Sequence, residues 1–238
     1  MKPHVLLLLL LIGLVITAQA APHTSPTPAL DNLAGWVRRA QSPTDTEAHY
    51  TVGFMFWLGV NGAPKNQTVA VYWFQKAAQG RGDFATEAAF YLGRFYLQGE
   101  GVTRDISLAR RWLTVAADAG ILRAQSKLAY CYFFGCDDVL WPQDARQAAR
   151  WMRKAAEQGD IGAQYYLGFI YEEGRGVPQN LYEAYKWYAI AAHREPESAA
   201  GKSATQGRKQ LAWSLTESQK LRADSAARDW RRPQSVRP

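Results

Sequence analysis

Residues 166–180 read YLGFIYEEGRGVPQN. A glycine pair brackets Arg175 directly after Glu172 and Glu173, which suits either a phosphate-binding loop or a corner between two helices. The chain resolves the choice by repeating itself: residues 91–105 read YLGRFYLQGEGVTRD, the same phrase 75 positions earlier. A dinucleotide-binding loop follows a strand and carries a third glycine at fixed spacing. Neither copy has either feature, so Gly174-Arg175-Gly176 and Gly99-Glu100-Gly101 are read as helix–helix corners.

Aligned on that phrase, four copies of a two-helix unit appear. The first helix of each begins near an alanine (Ala48, Ala88, Ala124, Ala163). A small residue follows five positions later (Gly53, Gly93, Ala129, Gly168), and the helix ends at Gly59, Gly99, Gly135 or Gly174. The second helix carries Ala-x2-Trp-x3-Ala-Ala, with tryptophans at Trp73, Trp112, Trp151 and Trp187, spaced 39, 39 and 36 apart.

These spacings have a physical meaning. The alanines and tryptophan of the second helix fall on one stripe of a 3.6-residue helix. Small residues there and at Gly53, Gly93, Ala129 and Gly168 let two helices approach closely, and the indoles are expected to fill the remaining gap. A glycine inside a helix costs about 1 kcal/mol against alanine, so its recurrence implies a packing role. The closing glycines favour the left-handed turn that ends a helix. Asn66, Asp105, Asp144 and Asn180 are placed to cap the second helices, and Asp144-x-x-Gln147 and Asn180-x-x-Glu183 have capping-box spacing.

The combined frame, with Leu-Gly-x-x-Tyr, Gly-x-Gly-Val and Trp-x-x-x-Ala-Ala, resembles the Sel-one-like repeat (SLR) family, a relative of the tetratricopeptide repeats. The resemblance implies an all-α fold: a right-handed α/α solenoid of four helix pairs over about 46–80, 83–120, 121–159 and 160–195. The first copy departs with a longer corner, Gly59-Val60-Asn61-Gly62-Ala63-Pro64. The third departs with three extra residues in 136–143 and with Ala129 in place of the usual glycine.

A solenoid buries each repeat only against its neighbours, so its ends need covering. Residues 29–41, with Leu30, Leu33, Trp36 and Val37, read as an amphipathic lid within a leader and capping segment, 21–45. Residues 206–215 and 216–231 read as closing helices within 196–232, the second starting at a Thr216-x-x-Gln219 capping box and carrying Leu221 and Trp230. Residues 233–238 read as a disordered tail. Residues 1–20 read as a cleaved signal peptide: Lys2, an apolar run from Val5 to Ile16, and Ala18-Gln19-Ala20 before the cut. No later stretch is apolar enough for long enough to span a bilayer, so the expected product is periplasmic or secreted.

Charge is uneven along the chain. Residues 21–199 balance 18 basic against 18 acidic residues, whereas 200–238 hold nine basic against three acidic, a net of +6. Outside the cytoplasm such a segment favours an acidic protein, an anionic lipid or cell-envelope polysaccharide over nucleic acid, and a solvated helix face is its simplest use.

Catalytic and metal constellations are missing from the pattern. After cleavage the histidines are His23, His49 and His193, without paired spacing, and His49 reads as a partly exposed structural residue. Gly201-Lys202-Ser203 ends like a Walker loop, but Pro196 stands where its first glycine belongs. Some cysteine-rich members of the resembled family are described as penicillin-binding or β-lactamase-like. That chemistry uses Ser-x-x-Lys, and no lysine here has serine three residues before it. No catalytic residue, metal ligand or cofactor is assigned.

What remains is surface. Aromatic residues crowd the first helices, which line the concave side of such arrays: Phe54 and Trp57, Phe90 and Phe95, Tyr130 and Phe133, Tyr165 and Phe169. Positions two residues after the crossing residue (Met55, Phe95, Cys131, Ile170) are least constrained by the frame and are the expected groove-lining set. The resemblance implies a non-catalytic scaffold that binds a protein or peptide in this groove; the alternative is a cell-wall-active enzyme or glycan-binding module. A disulfide is also expected between Cys131 and Cys136 in an oxidising compartment. If Gly135 closes its helix in a Schellman cap, the next residue folds back onto the one four positions before the glycine. Cysteine-rich members of the resembled family place their bridges between paired helices, and this spacing departs from that.

Overall fold

A computed structural model describes residues 32–136 and 140–230. The expected signal peptide at 1–20, residues 21–31 of the expected leader and the expected tail at 233–238 lie outside the described residues. Within them the chain forms eleven α-helices and no strand. A lid helix α1 (Leu33–Arg39) comes first. Four pairs follow: α2 (Thr46–Leu58) with α3 (Gln67–Ala78), and α4 (Asp83–Gln98) with α5 (Ile106–Asp118). Then come α6 (Leu122–Phe134) with α7 (Ala145–Glu157), and α8 (Ile161–Glu173) with α9 (Leu181–Arg194). Two closing helices, α10 (Ala199–Leu211) and α11 (Glu217–Asp229), end the array. From α1 to α10 each helix packs on its neighbours in sequence, the arrangement of a helical solenoid, and α11 folds back onto α9.

The crossing glycines act as the spacing requires, with a different partner from the one expected. A Cβ at Gly53 would meet the Phe74 ring at 3.2 Å, at Gly93 Leu113 Cγ at 2.6 Å, and at Gly168 Tyr188 Cδ1 at 2.6 Å. The side chain that fills each crossing is therefore the residue after the tryptophan, not the indole. Its counterpart in the third repeat, Met152, is fully buried. One residue along a helix is a 100° rotation, so the indoles point elsewhere: Trp73 stacks on His49, and Lys154 lies over the Trp151 ring.

Asn66, Asp105, Asp144 and Asn180 each accept the backbone N–H three residues on, so all four second helices start at the expected caps. A reciprocal capping box forms at Thr216–Gln219. Helix α10 begins at Ala199, earlier than the expected 206, because Ser198 Oγ caps it through Gly201 N–H. Leu221, expected on the apolar side of α11, is exposed; Ala223 and Ala227 are the buried residues of that helix.

Three corners share one geometry. At Gly59, Gly99 and Gly174 the glycine is left-handed, and its N–H and the next both donate to one carbonyl, those of Met55, Phe95 and Ile170. The third corner breaks the pattern. Gly135 has φ 84° and ψ 138°, and Cys136 N–H donates to Trp141 O rather than back to Cys131. The disulfide between Cys131 and Cys136 is present, with Cα atoms 4.7 Å apart. The Schellman route to it is not: Cys136 N–H is held by the carbonyl of Trp141, whose ring is fully buried against Tyr132.

Candidate functional site

The first helices carry two different sets of side chains on adjacent positions. Met55, Phe95 and Ile170 are 3%, 2% and 0% exposed, and Cys131 is buried as well. The groove-lining assignment made for them from the sequence is therefore corrected. Their carbonyls receive the corner N–H groups and their side chains belong to the core, because two residues past the crossing glycine a helix still faces its neighbours. The open position lies one residue earlier. Phe54, Arg94, Tyr130 and Phe169, directly after the crossing residue, are all partly accessible.

Around those four positions the surface divides into two aromatic banks. One joins Tyr50, Phe54 and Trp57 on α2 to Tyr91 on α4, with ring centroids 4.9–6.3 Å apart. The other joins Tyr130, Phe133 and Phe134 on α6 to Tyr166 and Phe169 on α8, and Arg175 covers the Phe133 ring at 4.6 Å. Leu58 and Phe134, at 53% exposure each, form the open margins of these banks.

Between the banks lies a recess of about 270 Å³, lined by Phe90, Arg94 and Leu97 from α4 and by Arg123, Lys127 and Tyr130 from α6. Arg123 packs over Phe90 and donates to Tyr91 Oη at 3.0 Å, and it pairs with Glu87. Burial opposes its charge, yet Tyr91 and Glu87 outweigh that and hold its pKa above the ordinary value. Arg94 lies 5.6 Å from the Trp57 ring and 5.9 Å from Tyr91. Burial, helped by Asp160, pushes the Tyr130 hydroxyl well above the usual phenol range, so it stays protonated. The sequence reading named the aromatics of this face but missed Arg94, Arg123 and Lys127. Their signal was cationic residues on helices that are otherwise apolar.

His49 is buried, not partly exposed, and it has a structural duty shared with its counterparts. His49 Nε2 lies 3.0 Å from Ala40 O. Gln125 Nε2 donates to Ala117 O and Gln164 Nε2 to Ala156 O, each at 3.0 Å. Each of these side chains ties a first helix to the end of the preceding helix. Ala89 stands at this position in the second repeat, which lacks the tie. Among the described residues, no cluster of three or more His, Cys, Asp or Glu could hold a metal, and no helix is long and apolar enough to cross a membrane.

The Sel1 repeat model matches residues 46–80, 86–121, 122–160 and 161–195. Among solved structures, the chain is similar to a Sel1 repeat protein from Oxalobacter formigenes, with 25% identity and a TM-score of 0.59 over 76% of this chain and 80% of that one. It is also similar to c5321, a protective antigen of uropathogenic Escherichia coli with an SLR fold, at 26% identity and a TM-score of 0.59. That match covers 95% of this chain but 49% of c5321. No curated protein sequence matches the chain.

Proposed function

Because the chain belongs to the Sel1 repeat family, we propose that it is an exported, non-catalytic scaffold holding a protein or peptide partner on the face of α2, α4, α6 and α8. The observation that carries this reading is the pair of aromatic banks on that face. These rings pack against the neighbouring repeat through Tyr91, Phe133 and Tyr166, yet Phe54 and Phe169 stay partly accessible and Phe134 is 53% exposed, so each keeps an open edge for a partner. Partly open aromatic side chains with few rotatable bonds are efficient anchors for a partner. Export is supported by the signal-like segment at 1–20 and by the Cys131–Cys136 bridge, which suits an oxidising compartment.

Site-specific photocrosslinking tests the face. A benzophenone side chain at Phe134 or Phe169 should give protein adducts in the source envelope, whereas one at exposed Val115 on α5 should give none. Adducts of equal yield from Val115, or none from the first-helix sites, would refute the reading.

A further inference from the structure

We propose that the recess between α4 and α6 seats an acidic side chain within an extended peptide segment, a reading that rests on the scaffold function above and names what the scaffold selects. Three cations, Arg94, Arg123 and Lys127, line the recess, and no carboxylate lines it. The nearby acids are already engaged. Glu87 pairs with Arg123, and Asp160 accepts from Ser126 Oγ at 2.6 Å and Ala163 N–H at 2.8 Å, with Tyr130 Oη at 3.5 Å. Arg94 and Lys127 have no anionic partner among the described residues. Two cations held at an apolar-walled hollow without counter-charge leave a field that only an incoming anion neutralises.

Size and flanks narrow the occupant. At about 270 Å³ the recess sits at the lower edge of the roughly 300–1,000 Å³ of small-molecule sites and has room for one side chain. Trp57 with Phe54 stands on one side, and Tyr130 with Phe134 and Tyr166 on the other. An occupant anchored in the middle therefore has apolar contacts in both directions, which fits an internal Asp or Glu with aromatic or aliphatic neighbours rather than a chain terminus. A nucleic acid or anionic polysaccharide would need a track of phosphate or carboxylate contacts, and the surface on either side of the recess is aromatic.

The test is selection of a random dodecapeptide phage library on the immobilised full-length chain, followed by anisotropy titration of the leading synthetic peptide. Enriched peptides should carry an Asp or Glu between apolar residues. Replacing that acid by its amide should weaken binding about tenfold, and rising salt should weaken the acidic peptide more than the amide. Arg94→Gln with Lys127→Gln should erase the acid-over-amide preference while leaving the circular dichroism spectrum unchanged; Lys127→Gln alone serves if the pair does not fold. Enriched peptides without an acid, or equal affinity for acid and amide, would overturn this inference. The scaffold face would still stand in that case if Phe54→Ser and Phe134→Ser abolish capture. Enrichment of nothing would overturn this inference, while the scaffold reading is decided by the photocrosslinking at Phe134 and Phe169.

Discussion

The ring of Tyr188 fills the space that a side chain on Gly168 would need: a Cβ there would stand 2.6 Å from Cδ1 and 2.7 Å from Cε1. The opposite edge of the same ring does this to Gly207, whose Cβ would lie 2.7 Å from Cε2. One tyrosine on α9 thus sets the approach of both the last first-helix, α8, and the closing helix α10. Its hydroxyl donates to Glu172 Oε2 at 2.6 Å, which satisfies the one polar group carried into that contact.

Gly168→Leu should therefore destabilise the chain by about 1–3 kcal/mol, and Gly207→Leu should cost a similar amount. Leucine at exposed Glu157 should stay within about 0.5 kcal/mol of the parent. Urea unfolding of the three variants checks this, and equal midpoint shifts would rule out the close crossing.

The glutamine ties predict an inequality. Gln125 is satisfied at both ends, since its Oε1 accepts from Gln158 Nε2 at 2.8 Å, whereas Gln164 Oε1 is buried without a partner. The two acceptors do not differ, since Ala117 O keeps Gly120 N–H and Ala156 O keeps Gly159 N–H, so the inequality rests on the amide oxygens. Gln164→Met should thus cost about 1 kcal/mol or less, and Gln125→Met more, toward the 1–3 kcal/mol of a broken buried network. Thermal unfolding of the two variants side by side is the measurement.

Intact-mass analysis of the non-reduced protein, alkylated after denaturation, should show no added alkyl group, because Cys131 and Cys136 are bonded. The bridge closes a very short loop, so Cys131→Ala with Cys136→Ala should cost about 2 kcal/mol, the low end for disulfides. Trp141 fluorescence should shift on reduction, since its backbone carbonyl receives the Cys136 N–H.

Burial raises the pKa of the hydroxyls of Tyr50, Tyr130 and Tyr188, with added contributions from Tyr91, Asp160 and Glu172 respectively. A raised folded-state pKa contributes stability that is fully present below the unfolded value of about 10 and is lost as pH rises above it. Absorbance titration at about 295 nm should show these phenols ionising only together with loss of helical circular dichroism. Reversible ionisation above pH 10 with the helices intact would contradict their burial.

Export predicts a mature chain beginning at Ala21, read by N-terminal sequencing of protein from the envelope fraction. An intact Met1 on that protein would remove the proposed export.

How much of this was legible in the sequence depended on whether a residue's role was local. The four helix pairs, their caps at Asn66, Asp105, Asp144 and Asn180, and the corners at Gly59, Gly99 and Gly174 follow from backbone requirements within a few residues of each other. Such requirements leave the same letters in every copy. Even the pairing of Cys131 with Cys136 could be named, although the path that joins them could not, because it depends on where the inserted Trp141 is buried.

The open face was decided by tertiary structure alone. In a helix with one apolar stripe the pattern itself shows which side meets water, but α2 and α8 carry apolar residues all the way round. A first helix packs against its own partner and against the preceding repeat, so Met55 and Ile170 were as plausible a surface as Phe54 and Phe169. A turn of 100° separates the two choices, and only the positions of the neighbouring helices select between them. The same holds for the crossings. The sequence by itself determined that something large must meet each small residue, and the set of the second helix then placed Phe74, Leu113 and Tyr188 there rather than the tryptophans that precede them.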